Sequence, residues 1–340
     1  MITTVVGSYP KVAEKSYGTN LIGAITKWQR KELTDAQLEE VCREITKAII
    51  QEEEAAGLDL LTDGQIRWED LVTPMAKRLG GFEINGLTRW FNNNVYYRRP
   101  VLRKAPVRTG PILVDEYRFA ASCARKPLKA VLPGPYTFAI LTEDQFYKRL
   151  RPLVLRLAEI VNEEAKALAG AGAPLIQFDE PAIGFGLPAA SRAAQAGKTD
   201  VKLAIEALNI AVKGVKAKTA VSTYFGALNG LLQPLMRSRV DIVGVDVVSE
   251  PKTLAALARV KITKELALGC LDARNTKLES VAELHAIFDV IKKRVPLNRI
   301  YVNPNCGLEF LPHSQARAKV LRLVQAVRTY KNSNGRSACC

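Results

Sequence analysis

The sequence predicts an α/β protein built as a single (β/α)8 TIM barrel. The chain has 340 residues, which is enough for one large α/β domain. Short apolar runs alternate with longer amphipathic segments, as in a parallel sheet whose strands are joined by helices. There are eight such runs, the strand number of this barrel. A doubly wound sheet is the alternative, but GSYPKV after the first strand lacks the GxGxxG fingerprint.

The elements are defined by their apolar periodicity. The predicted strands cover residues 3–6, 58–61, 129–132, 175–178, 220–223, 241–245, 266–268 and 299–302. A capping box of Thr34 and Gln37 opens the first clear helix, and Gly57 closes it. Further helices are predicted within 147–168, 201–215, 278–293 and 314–330.

One long insertion after the second strand interrupts the alternation. Residues 80–111 include GFEINGLTRWFNNNVYYRRPVL, in which Asn85-Gly86 predicts a hairpin turn. We expect an extra β-arm lying over one end of the barrel. Because no Ser/Gly-rich linker occurs, we predict one domain over residues 1–331, followed by a flexible tail at 332–340.

Composition and charge restrict the functional classes. No apolar stretch approaches the length of a membrane helix and no signal peptide is apparent, so we expect a cytoplasmic protein without a membrane partner. The six cysteines form no CxxC pair, which favours free thiols. The net charge of +15 suits anionic ligands, but the basic residues are dispersed and no RNA-binding motif occurs. We therefore predict no nucleic-acid partner.

Polar residues follow every predicted strand, where barrel enzymes carry their chemistry. An Asp before a helix is usually an N-cap, so each such residue taken singly has a structural explanation. Several carboxylates at one barrel mouth, however, need a neighbouring cation. The carboxylates in question are Asp63, Asp179, Asp246 and Asp272, and a substrate ammonium, Arg274 or a metal could supply the charge.

The strand ends resemble those of a known family. GSYP, DGQ, PGPYTF, IQFDEPA, TYFG, LDARN and NPNCGLEFLP occur in this order over nearly the whole chain. In this respect the sequence is similar to the cobalamin-independent methionine synthases. The resemblance implies a (β/α)8 barrel and methyl transfer to the thiol of homocysteine.

The resemblance also implies a difference at the metal site. In full-length members two barrels are fused, and the C-terminal one holds zinc through His-x-Cys on the fifth strand, a Glu on the sixth and a Cys on the eighth. Here Tyr224 and Gly226 stand at the His and Cys positions and Asp246 at the Glu position, so Cys306 is the only matching zinc ligand. We expect no cofactor bound by this chain alone. TYFG, WFNNNVYY and LDARN are most similar to the zinc-free N-terminal half, whereas GSYP and NPNCGL are closer to the zinc-bearing half.

The family roles carry over position by position. Asp179 and Ser8 match residues that hold the amino and carboxylate groups of homocysteine, and Gln65 replaces a second acid. Lys11 could meet the acidic tail of a folate. The predicted catalytic residues are Asp179, Asp272 and Arg274. The predicted substrate-binding residues are Ser8, Lys11, Gln65, Asp179, Glu180, Tyr224, Asp246 and Asn305.

Three functional hypotheses follow from the resemblance. The first is a zinc-free barrel that works with a separate zinc-bearing methionine synthase barrel, using homocysteine and polyglutamylated methyl-folate as substrates. The second is a stand-alone thiol methyltransferase with a different methyl donor. The third is a non-catalytic barrel that binds an amino acid or folate.

Overall fold

The computed structural model describes residues 1–11, 21–89, 91, 96–185, 200–228, 230–250 and 252–336. The chain divides into two compact units, each made of separate stretches of sequence. Unit 1 comprises Met1–Arg67, Arg118–Lys129 and Leu266–Cys340. Unit 2 comprises Trp68–Tyr117 and Ala130–Glu265.

Strands and helices alternate along most of the described chain. The strands are β1 (Ile2–Thr3), β2 (Gly80–Arg89), β3 (Tyr96–Val107), β4 (Ala130–Pro133), β5 (Glu143–Asp144), β6 (Leu175–Asp179), β7 (Lys218–Ser222), β8 (Ile242–Asp246), β9 (Glu265–Leu271) and β10 (Ile300–Pro304). The helices are α1 (Leu21–Gln29), α2 (Asp35–Ala56), α3 (Thr73–Ala76), α4 (Val114–Cys123), α5 (Pro135–Leu141), α6 (Leu150–Gly170), α7 (Pro181–Phe185), α8 (Val201–Ala211), α9 (Leu232–Arg237), α10 (Lys252–Leu257), α11 (Val281–Ile291) and α12 (His313–Arg336).

In unit 1 the parallel strands lie in the order β1, β10, β9, with Ile2 opposite Tyr301. The predicted capping box is confirmed, because Thr34 Oγ1 accepts the Gln37 N–H and Gln37 Oε1 accepts the Thr34 N–H. Gly57 ends α2 at a φ of 92°, a conformation that favours glycine. Local sequence signals therefore set both ends of α2.

The predicted strand at 58–61 is reduced to one isolated bridge between Leu61 and Leu128. Its first half is bonded to Thr3 of β1, since the N–H groups of Asp59 and Leu60 donate to Thr3 O at 3.0 and 3.1 Å. The Asp59 carboxylate accepts the backbone N–H of Thr3 at 2.8 Å and its hydroxyl at 2.9 Å. Both backbone N–H groups meet one carbonyl oxygen and the Thr3 N–H meets a carboxylate, so no regular ladder forms and the strand prediction is wrong for most of this segment.

In unit 2 the parallel strands lie in the order β8, β7, β6, β4. All residues of β4, β6 and β8 are buried, which explains their continuous apolar character. Across both units, seven parallel strands are described, and each overlaps one of the eight predicted runs, although β1 shares only Thr3 with the predicted strand at 3–6. The α/β class is thus observed directly.

Residues 80–89 and 96–107 of unit 2 form an antiparallel pair of strands, β2 and β3, with β5 beside β3. The predicted turn at Asn85-Gly86 is wrong, because β2 continues through both residues. The register between β2 and β3 shifts between Ile84 and Leu87, where β2 carries one extra residue. Asn-Gly serves here as a bulge rather than as a turn, and the predicted place of the arm over a barrel end stays a prediction.

The remaining predicted helices appear with small changes of boundary, as α6, α8, α11 and α12. Because α12 continues to Arg336, residues 332–336 of the predicted tail are helical. Residues 337–340 lie outside the described residues. None of the helices in the described ranges combines the length and the apolar character needed to cross a membrane.

Candidate functional site

Polar side chains at the strand ends form one cluster in each unit. The first cluster, in unit 1, follows β1, the Leu61 bridge and β10. Its members are Ser8, Lys11, Asp63, Gln65 and Glu309. The second cluster, in unit 2, follows β6, β7 and β8. Its members are Asp179, Glu180, Tyr224 and Asp246.

Ser8 and Glu309 form the centre of the first cluster. The Ser8 hydroxyl donates to the Glu309 carboxylate, and Lys11 places a positive charge nearby. The surrounding protein raises the pKa of Glu309, against the opposing effects of Lys11 and Ser8. Glu309 is nevertheless an exposed residue, so water reaches it and moderates this rise. A Cβ atom on Gly307 would lie 2.0 Å from Glu309 Oε2, so only glycine leaves room for the carboxylate.

Gln65 is held in an unusual backbone conformation. Its φ is 49°, directly after Gly64 at 68°, and its N–H donates to Asp63 Oδ1 at 3.0 Å. A non-glycine residue in this region costs about 1 kcal/mol and is often found at functional sites. The side chain is only 4% exposed, and within the described residues its Nε2 has no hydrogen-bond partner. A buried amide donor of this kind can be satisfied by an acceptor on a ligand.

An ion pair between the buried Lys319 and the partly buried Glu279 holds the loop that follows β9. Glu279 Oε1 accepts the N–H of Asp272 at 2.8 Å, and the fully buried Lys319 donates to Glu279 Oε2 at 2.9 Å. Asn305 Oδ1 accepts the N–H of Ala273 at 2.9 Å. These bonds fix the loop that carries the predicted residues Asp272 and Arg274.

Asp272 and Arg274 are joined through the backbone. The Arg274 N–H donates to Asp272 Oδ1 at 2.9 Å, which is the geometry of an Asx turn. The Arg274 residue itself is exposed. Their predicted catalytic roles stay predictions, as does the substrate contact of Asn305, whose amide oxygen already serves the neighbouring strand end.

In the second cluster, Asp179 ends β6 and is almost fully buried. Its Oδ1 accepts the Gln177 amide at 2.7 Å, and its Oδ2 accepts the Tyr224 hydroxyl at 3.2 Å. Both oxygens therefore have a protein donor. The structure brings together Asp179 and Tyr224, two of the residues that the sequence predicts to meet substrate.

Glu180 directly follows β6, and its carboxylate lies at the start of α5. Its carboxylate oxygens accept the backbone N–H groups of Tyr136 at 2.9 Å and Thr137 at 2.7 Å. A Cβ atom on Gly134 would lie 2.2 Å from the Glu180 carboxyl carbon, so Gly134 allows this approach. Burial raises the pKa of Glu180 to about 7, although these hydrogen bonds oppose the rise. The contacts are those of a helix-capping carboxylate, and its predicted contact with substrate stays a prediction.

Asp246 holds the loop after β8 and the end of β7 together. Its Oδ1 accepts the N–H groups of Val248 at 2.9 Å and Ser249 at 2.8 Å. Its Oδ2 accepts the N–H of Phe225 at 3.2 Å, where φ is 70°. Burial raises the pKa of Asp246. The carboxylate thus stabilises a left-handed bend directly after β7.

The bend after β7 packs Gly226 against the backbone of α7. A Cβ atom on Gly226 would lie 2.1 Å from Gly184 O and 2.4 Å from Phe185 N. Both are backbone atoms, so a larger residue requires the chain to move. The TYFG stretch therefore carries a tyrosine that contacts Asp179 and a glycine that close packing requires.

Comparison with known proteins identifies the family. The model of the family described as "Cobalamin-independent synthase, Catalytic domain" matches residues 1–329. The chain belongs to the cobalamin-independent methionine synthase family. It is 32% identical to the methionine synthase of Sulfurisphaera tokodaii, over 96% of this chain and 91% of that protein. It is also 32% identical to the methionine synthase of Saccharolobus solfataricus, over 97% of this chain and 94% of that protein.

A solved structure of a B12-independent methionine synthase from Shewanella sp. W3-18-1, in complex with selenomethionine, has the same fold. Its TM-score is 0.81 at 23% identity, covering 97% of this chain and 98% of that one. This likeness shows the fold alone. The family predicted from the strand ends is confirmed by the family model and by the two archaeal relatives, and the solved structure shares the α/β architecture.

The zinc ligands expected of methionine synthases do not match the residues present. Cys306 is fully buried and its thiol contacts Gly307 O at 3.6 Å. Within the described ranges, no three side chains from His, Cys, Asp or Glu are arranged to hold a metal ion. His313 is paired with Glu52 at 3.1 Å, and His285 Nε2 contacts Ala326 O at 2.9 Å. Neither histidine supplies the imidazole that a zinc site needs.

Sequence reasoning missed Glu309 as a member of the first cluster. Its signal was available, because it follows the eighth predicted strand within NPNCGLEFLP. The acid was overlooked because it lies five residues beyond the strand end at Pro304. The short 3₁₀ helix Leu308–Phe310 and the small Gly307 bring its carboxylate back to Ser8.

Proposed function

We propose that this chain is a zinc-free methionine synthase barrel, which supports methyl transfer to the homocysteine thiol together with a separate zinc-bearing barrel. Family membership supports the reaction class. The observation that carries the zinc-free part is the packed bend after β7, where Gly226 has no space for a Cβ atom. We also propose that the chain folds as one (β/α)8 barrel and that it acts in the cytoplasm, as expected from the sequence.

Thiol activation explains why a second barrel is needed. A thiol reacts as the thiolate, and zinc coordination supplies that form at neutral pH. Zinc would have to be held by soft or imidazole ligands, and Cys306 is the only matching residue. Asp246 stands at the position of another ligand, but both of its oxygens accept backbone N–H groups. In this proposal the chain binds and positions the substrates, and the zinc-bearing barrel activates the homocysteine sulfur.

The first cluster supports binding of an amino acid or of an acidic folate tail. Both Lys11 and Gln65 are suited to bind a carboxylate. Lys11 carries a positive charge, and the Gln65 Nε2 group is a donor that has no acceptor among the described residues. Glu309, exposed and negatively charged when ionised, is suited to an ammonium group. Homocysteine carries both groups, and polyglutamylated methyl-folate carries several carboxylates. We assign these two substrates to the proposal.

Metal analysis combined with reconstitution tests the proposal. The purified chain should hold zinc well below one equivalent, and the double variant Tyr224→His/Gly226→Cys should gain none. Isothermal titration calorimetry should show that the chain binds a zinc-bearing homologue. With homocysteine and methyl-folate present, the mixture should form methionine faster than the homologue alone. One bound zinc per chain through Cys306, or no association and no effect on methionine formation, would contradict it.

A second candidate is a stand-alone thiol methyltransferase with a different methyl donor. The observation that favours it is length, because this chain spans 91% and 94% of two archaeal relatives that are themselves named methionine synthase. Methionine formation by the isolated chain would establish this candidate. Under it, Asp179→Asn should abolish turnover, while the association with a zinc-bearing barrel should be absent.

A further inference from the structure

The Thr62 hydroxyl lies between two acceptors in unit 1. Its Oγ1 is 2.8 Å from Glu53 Oε1 and 3.1 Å from the backbone oxygen of Gly7. The N–H of Gly64 also approaches Oγ1, at 3.3 Å. A hydroxyl has one proton, so it can donate to Glu53 or to Gly7 but not fully to both. The choice depends on whether Glu53 is ionised.

Glu53 is enclosed by protein on every side. It belongs to α2, has no exposed surface, and its Oε2 accepts the Thr62 N–H at 2.8 Å. Burial raises the pKa of Glu53 to about 8, opposed by Thr62 and by the positive charge of Lys129 and reinforced by the negative charge of Asp63. The Lys129 ammonium itself donates to Val5 O at 2.6 Å. Both protonation states of Glu53 are therefore accessible near neutral pH.

Each protonation state gives a different complete hydrogen-bond pattern. When Glu53 is neutral, its Oε1–H donates to Thr62 Oγ1, and the Thr62 hydroxyl donates to Gly7 O. When Glu53 loses its proton to solvent, the Thr62 hydroxyl rotates and donates to Oε1, which leaves Gly7 O without this donor. In both states Oγ1 can still accept the Gly64 N–H and Oε2 the Thr62 N–H.

We propose that Glu53 is a positioning residue, which controls the strand end Gly7-Ser8 through the direction of the Thr62 hydroxyl. Gly7 directly precedes Ser8, the residue that contacts Glu309 in the first cluster. The neighbouring Tyr9 N–H donates to Gly64 O at 3.0 Å, so the two segments of this cluster are joined directly as well as through the Thr62 hydroxyl. A change in the protonation of Glu53 thereby changes the hydrogen bonding of Gly7, next to the proposed binding residue Ser8.

Selective labelling can observe the Gly7 carbonyl directly, because Gly-Ser occurs once in the sequence. Protein labelled with carbonyl-¹³C glycine and ¹⁵N serine should give one carbonyl–nitrogen correlation, that of Gly7-Ser8. In the wild type, its carbonyl shift should titrate with a midpoint near pH 8. This measurement uses the full chain and needs no ligand.

Matched variants separate the proposed device from general effects of pH. Glu53→Gln keeps the shape and a donor to Thr62, so its carbonyl shift should stay at the low-pH value throughout. Thr62→Val should give a shift that does not titrate, whereas Thr62→Ser should restore the titration. A wild-type shift that is constant between pH 6 and pH 9.5, or a titration that persists in Glu53→Gln, would overturn the proposal.

The effect on ligands rests on the proposed function and is measured separately. Using methionine as the probe, the affinity of the wild type should change several-fold between pH 6.5 and pH 9, while that of Glu53→Gln should not. Absence of methionine binding at every pH would count against the proposed function while the carbonyl titration still decides the role of Glu53. Binding with the same pH profile in both proteins would reject the transmission to the first cluster.

Discussion

The two clusters use similar residues in opposite ways. In the second cluster, both carboxylate oxygens of Asp179, Glu180 and Asp246 accept hydrogen bonds from the protein itself. In the first cluster, Glu309 is exposed and Gln65 Nε2 has no acceptor among the described residues. Buried acids with their oxygens already occupied stabilise a structure, whereas unused donors and acceptors are available to a ligand. Under the proposed function, this difference favours a bracing role for the second cluster and a recognition role for the first.

The largest expected effect is the loss of the Glu180 carboxylate. Glu180→Ala leaves the Tyr136 and Thr137 N–H groups without their acceptor and opens a cavity, so we expect the free energy of unfolding to fall by about 3 kcal/mol. Urea unfolding of the wild type and the variant measures this loss of stability. Glu180→Gln, which keeps an acceptor and the shape, should lose about 1 kcal/mol. A loss below about 0.5 kcal/mol for the alanine variant would show that the second cluster is not a brace.

Gly226→Ala tests the close packing after β7. Because its Cβ atom would meet the backbone of Gly184, we expect a loss of about 2 kcal/mol in the free energy of unfolding. Gly86→Ala is the matched control, since no atom lies within 4 Å of the added carbon, and it should change stability by less than about 0.5 kcal/mol. Equal effects of the two substitutions would contradict the steric argument.

The pH dependence of stability distinguishes buried carboxyls from ordinary ones. Glu180 and Glu53 have folded-state pKa values of about 7 and about 8, above the unfolded value of 4.5. Each binds its proton more tightly in the folded protein, so its contribution is complete below pH 4.5 and is lost as pH rises through the folded value. The free energy of unfolding should therefore fall between pH 5 and pH 9.

Urea unfolding at pH 5, 7 and 9 measures this decline. Glu53→Gln should make this decline smaller, because one group with a raised pKa has been removed. Glu283→Gln is the control, since Glu283 lies in the capping box of α11 and its pKa is lowered. An unchanged decline in Glu53→Gln would show that Glu53 is ionised normally in the folded state.

The smallest effect on stability is expected at Gln65. Gln65→Leu removes a donor that has no described acceptor, so the free energy of unfolding should change by less than about 0.5 kcal/mol. Methionine binding, measured by calorimetry, should weaken by about tenfold if the amide meets a ligand carboxylate. Unchanged affinity together with unchanged stability would remove Gln65 from the proposed site.

The fold was largely predictable because its signals are local. The Thr34 and Gln37 capping box and the left-handed Gly57 set the limits of α2 without tertiary information. The predicted second strand is wrong because Asp59 and Leu60 both donate to Thr3 O while the Thr3 N–H donates to the Asp59 carboxylate, and apolar periodicity does not register such bonds. Asn85-Gly86 failed because the same residues suit both a hairpin turn and a bulge.

The sequence predicts which polar residues lie near strand ends, but not the contacts that their side chains make. Asp179 and Asp246 end their strands, as expected, whereas Ser8 lies five residues beyond the end of β1. The direction of each carboxylate depends on contacts far along the chain, such as that of Asp246 with the N–H of Phe225. The role of Thr62 depends on a rotatable proton, which no sequence pattern encodes.

The pairing of β1 with β10 has a consequence for synthesis in the cell. Ile2 and Thr3 find their partners only at Tyr301 and Val302, almost 300 positions later. At 5–20 residues per second, a ribosome needs about 15 to 60 s to produce that stretch. During this interval the first strand has no ladder partner, so nascent chains stalled before Tyr301 are expected to be substrates for chaperones and proteases.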